Sequence, residues 1–342
     1  MKIWIDILTP KQLLFSEQII EKLGKKHDIL CTSREYNEVS KLAKMRNFDL
    51  VFVGKHGGGD KKTKLKASIS RMEKLSKQIE RFSPDIAISY CSPEAARISF
   101  GLGIKHVAFC DSPHADAVMR LTLPLIQKLL IPNVIPKNEF SKYGIEKKNI
   151  ISYKAIDAFV TLNRKINQEA KLPFEKNNKK NILIRIEEEQ ASYVPKSSKI
   201  IPIIKKIIIE HYQENIIILG RYTKQVQNIE KIIGNKAKIL KMTYDGKHLL
   251  NNTDIFIGSG GTMTAESALM GIPTISYHGV PNIIDDFLVR KHLVKRETNP
   301  KKISNHIKKV FNSSNNLNQK RAKKIVGKME NPIQKLMKII NE

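Results

Sequence analysis

Gly258, Ser259, Gly260, Gly261 and Thr262 stand together between the β-rich run DIFIG and an apolar helical pattern, with Glu266 one turn further on. Glycine permits positive φ and lets a ligand come close to the backbone. Free amides at a helix N-terminus attract phosphate. The segment is therefore suited to a nucleoside diphosphate, with Arg185 at another strand end as a cation near the phosphates and Glu266 as an acceptor for ribose hydroxyls. The same residues fit a plainer reading, a tight strand–helix turn with Thr262 as N-cap. Glu266 is then only a favourable acid early in a helix. A nicotinamide fingerprint fits poorly, because Met263 occupies the third glycine position of G-x-G-x-x-G and the unit lies late in the chain.

A second set of reactive residues gathers at strand ends in the first half. Asp6 ends the first strand, His56 lies in the loop GKHGGGD (54–60), and Asp111 and His114 share the loop CDSPHAD (110–116). Asp111 and His114 are the better pair, since one short loop carries both and one can orient or deprotonate the other in general-base catalysis. Alternatively Asp111 only satisfies backbone amides of a turn, and His56 is a polar surface residue. The glycines around His56 hold a phosphate or simply let the chain turn. No Asp-x-Asp motif and no His/Cys cluster calls for a metal. The cysteines, Cys31, Cys91 and Cys110, are odd in number and scattered, which argues against a disulfide framework or a zinc site. No cofactor is expected.

These residues need elements to position them. Apolar runs at 2–8, 27–32, 49–54, 85–90 and 105–111 alternate with helical patterns at 11–25, 35–46, 62–82 and 92–101. After the polar stretch 171–181 the alternation restarts, with strands at 181–186, 215–220, 238–242, 254–258 and 273–277. Near-continuous apolar strands alternating with helices imply parallel sheets covered on both faces. In such sheets ligands bind beyond the carboxyl ends of the strands. Arg185, Glu187, Gly220 and Arg221 join the opening segment at that edge in the second half. The expected fold is α/β, two Rossmann-like domains facing across a cleft. Residues 1–154 form the first domain, 155–325 the second, and 326–342 a helix crossing back onto the first.

Composition sets the partners. Sixty Lys and Arg face 33 Asp and Glu, a formal charge of +27, which attracts polyanions. Lysine is spread along the whole chain, and no zinc finger, RNP-type aromatic motif or helix-turn-helix appears, so nucleic acid is not expected as the ligand. Attraction to an anionic membrane surface fits the charge better. No apolar run reaches the roughly 18–20 residues of a bilayer span, and MKIWIDIL reads as a first strand rather than a signal peptide. The expectation is a cytoplasmic protein, peripheral at the inner face of the membrane.

The segment GSGGTMTAESALMGIPTISY resembles the donor-nucleotide segment of enzymes with the glycosyltransferase-B fold. With WIDI, GKHGGG, DIAISY, FCDSPHA and IGSGGTMTAESALMGIPTIS, roughly residues 1–300 resemble domain-of-unknown-function family 354. That family is regarded as glycosyltransferase-B-like, related to nucleotide-sugar 2-epimerases and to the glycosyltransferase of the lipid-linked peptidoglycan disaccharide. The resemblance implies a metal-independent glycosyltransferase that moves a sugar, uridine-linked, to a glycan- or lipid-linked acceptor. The alternatives it leaves are a nucleotide-sugar 2-epimerase and a non-catalytic protein that binds nucleotide sugars or polyanions. Family members commonly follow the first strand with an Asn-Pro-Pro-His-like loop, but here TPKQ (9–12) has no histidine. Its role is then absent, or moved to His56, Asp111 or His114.

Overall fold

Isoleucine and valine fill the strands of this chain, and helices with one apolar face separate them. The computed structural model describes residues 1–166, 172, 177–187, 200–220, 222–241, 244–277, 282–313 and 316–341. The chain divides into a first unit, Met1–Arg164 with Met329–Glu342, and a second, Lys165–Lys328.

In the first unit the order is β1 (Lys2–Ile7), α1 (Pro10–Leu23), β2 (Asp28–Glu35), α2 (Asn37–Met45), β3 (Val51–Lys55), α3 (Lys61–Phe82) and β4 (Ile86–Ser89). It continues with α4 (Pro93–Gly101), β5 (Lys105–Phe109), α5 (Asp116–Thr122), β6 (Lys128–Pro132), α6 (Asn138–Ser141), β7 (Ile150–Tyr153) and α7 (Asp157–Leu162). The second unit runs β8 (Asn181–Arg185), α8 (Ile200–Glu210), β9 (Asn215–Leu219), α9 (Thr223–Ile233), β10 (Lys238–Leu240), α10 (Gly246–Asn251) and β11 (Ile255–Gly258). Then come α11 (Thr262–Leu269), β12 (Thr274–Ser276), α12 (Ile283–Arg290), β13 (Val294–Arg296), α13 (Pro300–Phe311) and α14 (Leu317–Val326), before α15 (Pro332–Asn341) returns to the first unit.

Among the described residues the strands form two all-parallel sheets, ordered β3-β2-β1-β4-β5-β6-β7 and β10-β9-β8-β11-β12-β13. In each the order reverses beside the first strand, so a crevice opens at the carboxyl edge where helices leave on opposite faces. Alternation along the strands sends Ile3, Ile5 and Ile7 into one core with α1, α2 and α15, while Trp4 and Val53 pack under α3 and α4. Ile333, Leu336, Ile339 and Ile340 of α15 are buried in that first core, so the C-terminal helix completes the first unit.

Three strands were not visible as strands in the sequence. β6 lies inside the interrupted stretch PLIQKLLIPNVIP, with Lys128 first and Pro132 last. β7 and β13 are short edge strands, and β13 carries two cations in three residues. The burial that makes each a strand comes from the neighbour it pairs with, not from its own pattern. Helix α7, which the sequence reading placed beyond the domain boundary, packs on α1 in the first unit. Arg221, Met242 and part of the polar stretch 171–181 lie outside the described residues.

Candidate functional site

At the carboxyl edge of the second sheet, β11 ends at Gly258 and α11 begins at Thr262. Each glycine of the turn answers a different constraint. A Cβ on Gly258 would lie 2.6 Å from both the Phe256 ring and Thr264 Oγ1, and Gly260 has φ +96. A Cβ on Gly261 would meet nothing within 4 Å, so its absence leaves the approach to the helix end open. The N-cap is Gly261, with no side chain capping the helix, and Thr262 is the first helical residue. The plainer reading, with Thr262 as N-cap, is therefore corrected, and Glu266 falls in the second turn. Its side chain is buried, with 2% exposure.

The turn is held from below. Asn282 Nδ2 donates to the Gly260 carbonyl at 3.0 Å, and the Gly260 amide donates to Thr264 Oγ1 at 3.3 Å. Beneath it, Arg296 pairs with Asp285 at 2.9 Å, and Ser276 Oγ donates to the same carboxylate at 3.3 Å. Ile257 pairs with Ile184 in register, which sets Arg185 level with Gly258 on the adjacent strand. The Arg185 guanidinium donates to the Gly220 carbonyl at 2.7 Å. Tyr277 closes the same edge, its hydroxyl on Glu187 at 2.6 Å. The structure thus gathers Arg185, Gly258, Ser259, Gly260, Gly261, Thr262 and Glu266 at one edge.

In the first unit a titratable cluster forms that the sequence did not reveal. Thr9 caps α1 and Pro10 opens it, which fixes Lys11 in its first turn. Lys11 Nζ lies between two carboxylates, paired with Asp111 after β5 and at 2.7 Å from Asp157, which opens α7 after β7. Tyr153 donates its hydroxyl to Asp157, Ser112 Oγ donates to Asp111 at 2.9 Å, and the Lys11 ammonium is 5.1 Å from the centre of the Tyr90 ring. Burial raises Asp157 to about 6, against the pull of Lys11. Asp111 is only partly buried, its side chain 20% exposed, and against the desolvation it suffers Lys11 and its donors hold it below the ordinary carboxylate value. Burial likewise works against the charge on Lys11, but its two carboxylates outweigh it and raise its pKa. One buried carboxyl thus titrates near neutrality beside another that stays ionised, an arrangement able to take and return a proton.

His114 lies exposed on the same loop as Asp111. Partial burial holds its imidazole below the ordinary value, with the Asp111 charge acting in the other direction. Asp6 has a different position from the one expected of a catalytic acid. Its carboxylate takes Arg71 at 2.6 and 3.2 Å, Thr32 Oγ1 at 2.7 Å and Ser92 Oγ at 2.6 Å, and it is 2% exposed. As placed, it has no lone pair left for a substrate proton. Its work is to hold β1, β2, α3 and α4 together. His56 stacks on Tyr36 with centroids 4.9 Å apart, and its Nδ1 accepts the Gly58 amide at 3.1 Å. It follows β3, four strand positions from β5, about 19 Å away at about 4.8 Å per strand. The structure does not bring His56 to Asp111 and His114.

Lys11 had a sequence signal, the TPK following the first strand, but its partner Asp157 sits where the helical pattern fades. Only the pairing of β6 with β7 carries Asp157 to the edge beside β5.

Two parallel sheets with polar and titratable residues at their carboxyl edges define the class: two Rossmann-like domains of the glycosyltransferase-B type. The chain belongs to the family described as "Protein of unknown function (DUF354)", whose model matches residues 1–342. It is 29% identical over 315 residues to the uncharacterized protein MJ0665 of Methanocaldococcus jannaschii, covering 90% of this chain and 91% of that one. The fold is similar to the UDP-GlcNAc 2-epimerase of Neisseria meningitidis, solved bound to UDP-GlcNAc (TM-score 0.73, 16% identity, 99% and 98% of the two chains). It is also similar to MurG of Acinetobacter baumannii (TM-score 0.56, 12% identity, 100% and 99%).

Proposed function

We propose that the protein is an enzyme of nucleoside diphosphate sugars that transfers the sugar to a glycan- or lipid-linked acceptor. The observation that carries this is the uncapped, glycine-built start of α11, level with Arg185 and followed by a buried carboxylate at Glu266. Helix amides and Arg185 meet the diphosphate, and Glu266 accepts hydrogen bonds from the ribose. The charge that develops on the departing diphosphate is stabilised by the same groups. In the transfer, the bond from the anomeric carbon to the diphosphate oxygen breaks and a bond to the acceptor hydroxyl forms. The hydroxyl proton passes to a base. His114, on the same loop as Asp111, takes that role, and Asp111 stabilises the resulting imidazolium.

A second reading is 2-epimerisation of the nucleotide sugar. Two observations favour it: the near-complete coverage of a UDP-GlcNAc 2-epimerase fold, and a carboxyl at about 6 in the Lys11–Asp111–Asp157 cluster, suited to moving a proton at a sugar carbon.

Calorimetric titration with UDP, followed by incubation with UDP-sugars, tests both. Hydrogen bonds to a charged group contribute about 1.5–3 kcal/mol, so Glu266→Gln should weaken UDP binding by roughly tenfold or more while melting near the wild type. A Glu266→Gln variant that binds normally but melts much earlier makes the residue structural and refutes the donor site. Conversion of a UDP-sugar into its 2-epimer without acceptor and without release of UDP establishes epimerisation in place of transfer.

A further inference from the structure

The exposed apolar side chains of the first unit's helices are confined to one layer. Leu65 and Ile69 on α3, Phe100 at the end of α4, Leu102 just beyond it and Leu121 on α5 are between 42% and 62% exposed. These helices are consecutive neighbours, α3 against α4 and α4 against α5. Ser68, beside Ile69, donates to Glu94 of α4 at 2.8 Å, which turns the outward flank of α3 toward α4. On the other side of the sheet, α1, α2, α7 and α15 carry no large apolar residue with such exposure. Five leucine, isoleucine and phenylalanine side chains thus stand exposed on the helices of this one layer.

Charge divides the same way. Helices α3, α4 and α5 together hold ten Lys and Arg against four acids, four of the lysines in the stretch KKTKLK of α3. The four helices of the opposite layer together hold six cations against four acids. Solvent-facing apolar side chains within a dense cationic field are the composition of a helix that lies in a membrane interface. Among the described residues no helix is long and apolar enough to cross a membrane.

We propose that the α3–α4–α5 layer is the surface by which this protein docks on an anionic lipid bilayer. Leu65, Ile69 and Phe100 enter the boundary between headgroups and acyl chains, and Lys62 and Lys66 meet lipid phosphates. The overall charge of +27 draws the protein to any anionic surface; this layer adds an apolar anchor that orients it. The inference is independent of the nucleotide-sugar reading.

Co-sedimentation of the full chain with phosphatidylcholine vesicles, with and without phosphatidylglycerol, tests it. Binding should require phosphatidylglycerol and fall between 0.1 M and 1 M salt, where the Debye length shrinks from about 10 Å to about 3 Å. Leu65→Ser with Ile69→Ser, which keeps every charge, should lower the partition coefficient by at least about tenfold. Lys62→Gln with Lys66→Gln should lower it about fivefold per lysine. The control pair Lys301→Gln with Lys302→Gln, exposed on α13, removes the same charge and should cost much less. Thermal melts and UDP titrations of all variants should match the wild type, which separates a failed surface from a failed fold or donor site. The proposal is overturned if the wild type ignores anionic vesicles. It is equally overturned if the Leu65/Ile69 pair binds undiminished, or if the control pair loses as much as Lys62/Lys66.

Discussion

Replacing Asp157 by Asn should stabilise the protein above pH 6 and leave it nearly unchanged near pH 4. Asp157 is 2% exposed, and burial raises its carboxyl from 3.8 to about 6 in the folded state despite the ion pair with Lys11. At about 1.4 kcal/mol per tenfold change, this corresponds to roughly 3 kcal/mol by which the ionised form disfavours folding. The sign follows from linkage. Above about pH 6 the group is ionised in both states and the full cost is present. As pH falls, the folded protein takes up the proton first, so stability rises until the unfolded carboxyl also protonates near 3.8. Asparagine keeps an acceptor for the Tyr153 hydroxyl and never ionises, and Lys11 retains Asp111. For a domain of this size about 1 kcal/mol moves the melting temperature by about 2–4 °C. The variant should therefore melt roughly 6–12 °C higher at pH 8, with the difference vanishing between pH 6 and pH 4. Calorimetric melts of both proteins across that range are the assay. A pH-independent difference, or a variant less stable than wild type at pH 8, refutes the assignment of Asp157 as a buried, destabilising carboxylate.

The remaining predictions concern the turn and the buried network. Gly258→Ala places a methyl 2.6 Å from Phe256 and Thr264 and should destabilise by about 1–3 kcal/mol in urea unfolding, whereas Gly261→Ala, which meets nothing, should fold normally yet weaken UDP in calorimetry. Asp6→Asn leaves Arg71, 1% exposed, without its carboxylate and should cost about 3–5 kcal/mol in the same unfolding assay. A loss under about 1 kcal/mol would show that Glu94, 3.8 Å from Arg71, takes over the charge.

Much of the second unit's edge could be read directly, because its parts are contiguous. A β-rich run, a glycine turn and a helix follow one another within Ile255–Leu269, and local conformation alone gathers Gly258 to Glu266. The cap could not be read so finely: Thr262 and Gly261 both suit that position, and the observed backbone selects glycine. In the first unit the strand-end residues were visible but their duties were not. Asp6, Asp111 and His56 look alike as polar residues after apolar runs. One is sealed against Arg71, one is paired with Lys11, and one stacks on Tyr36 at the sheet's edge.

The sequence by itself determined the alternation of strand and helix, two parallel sheets, and the edge on which chemistry-bearing residues fall. Those features follow from periodicity and turn chemistry, which act over a few residues. Strand order decided the rest. Lys11, Asp111 and Asp157 are separated by 100 and 46 positions in the chain. They meet because β1, β4, β5, β6 and β7 lie side by side. Whether a carboxyl there is ionised depends on how much water the neighbouring helices exclude, and that is set by packing that no local pattern encodes.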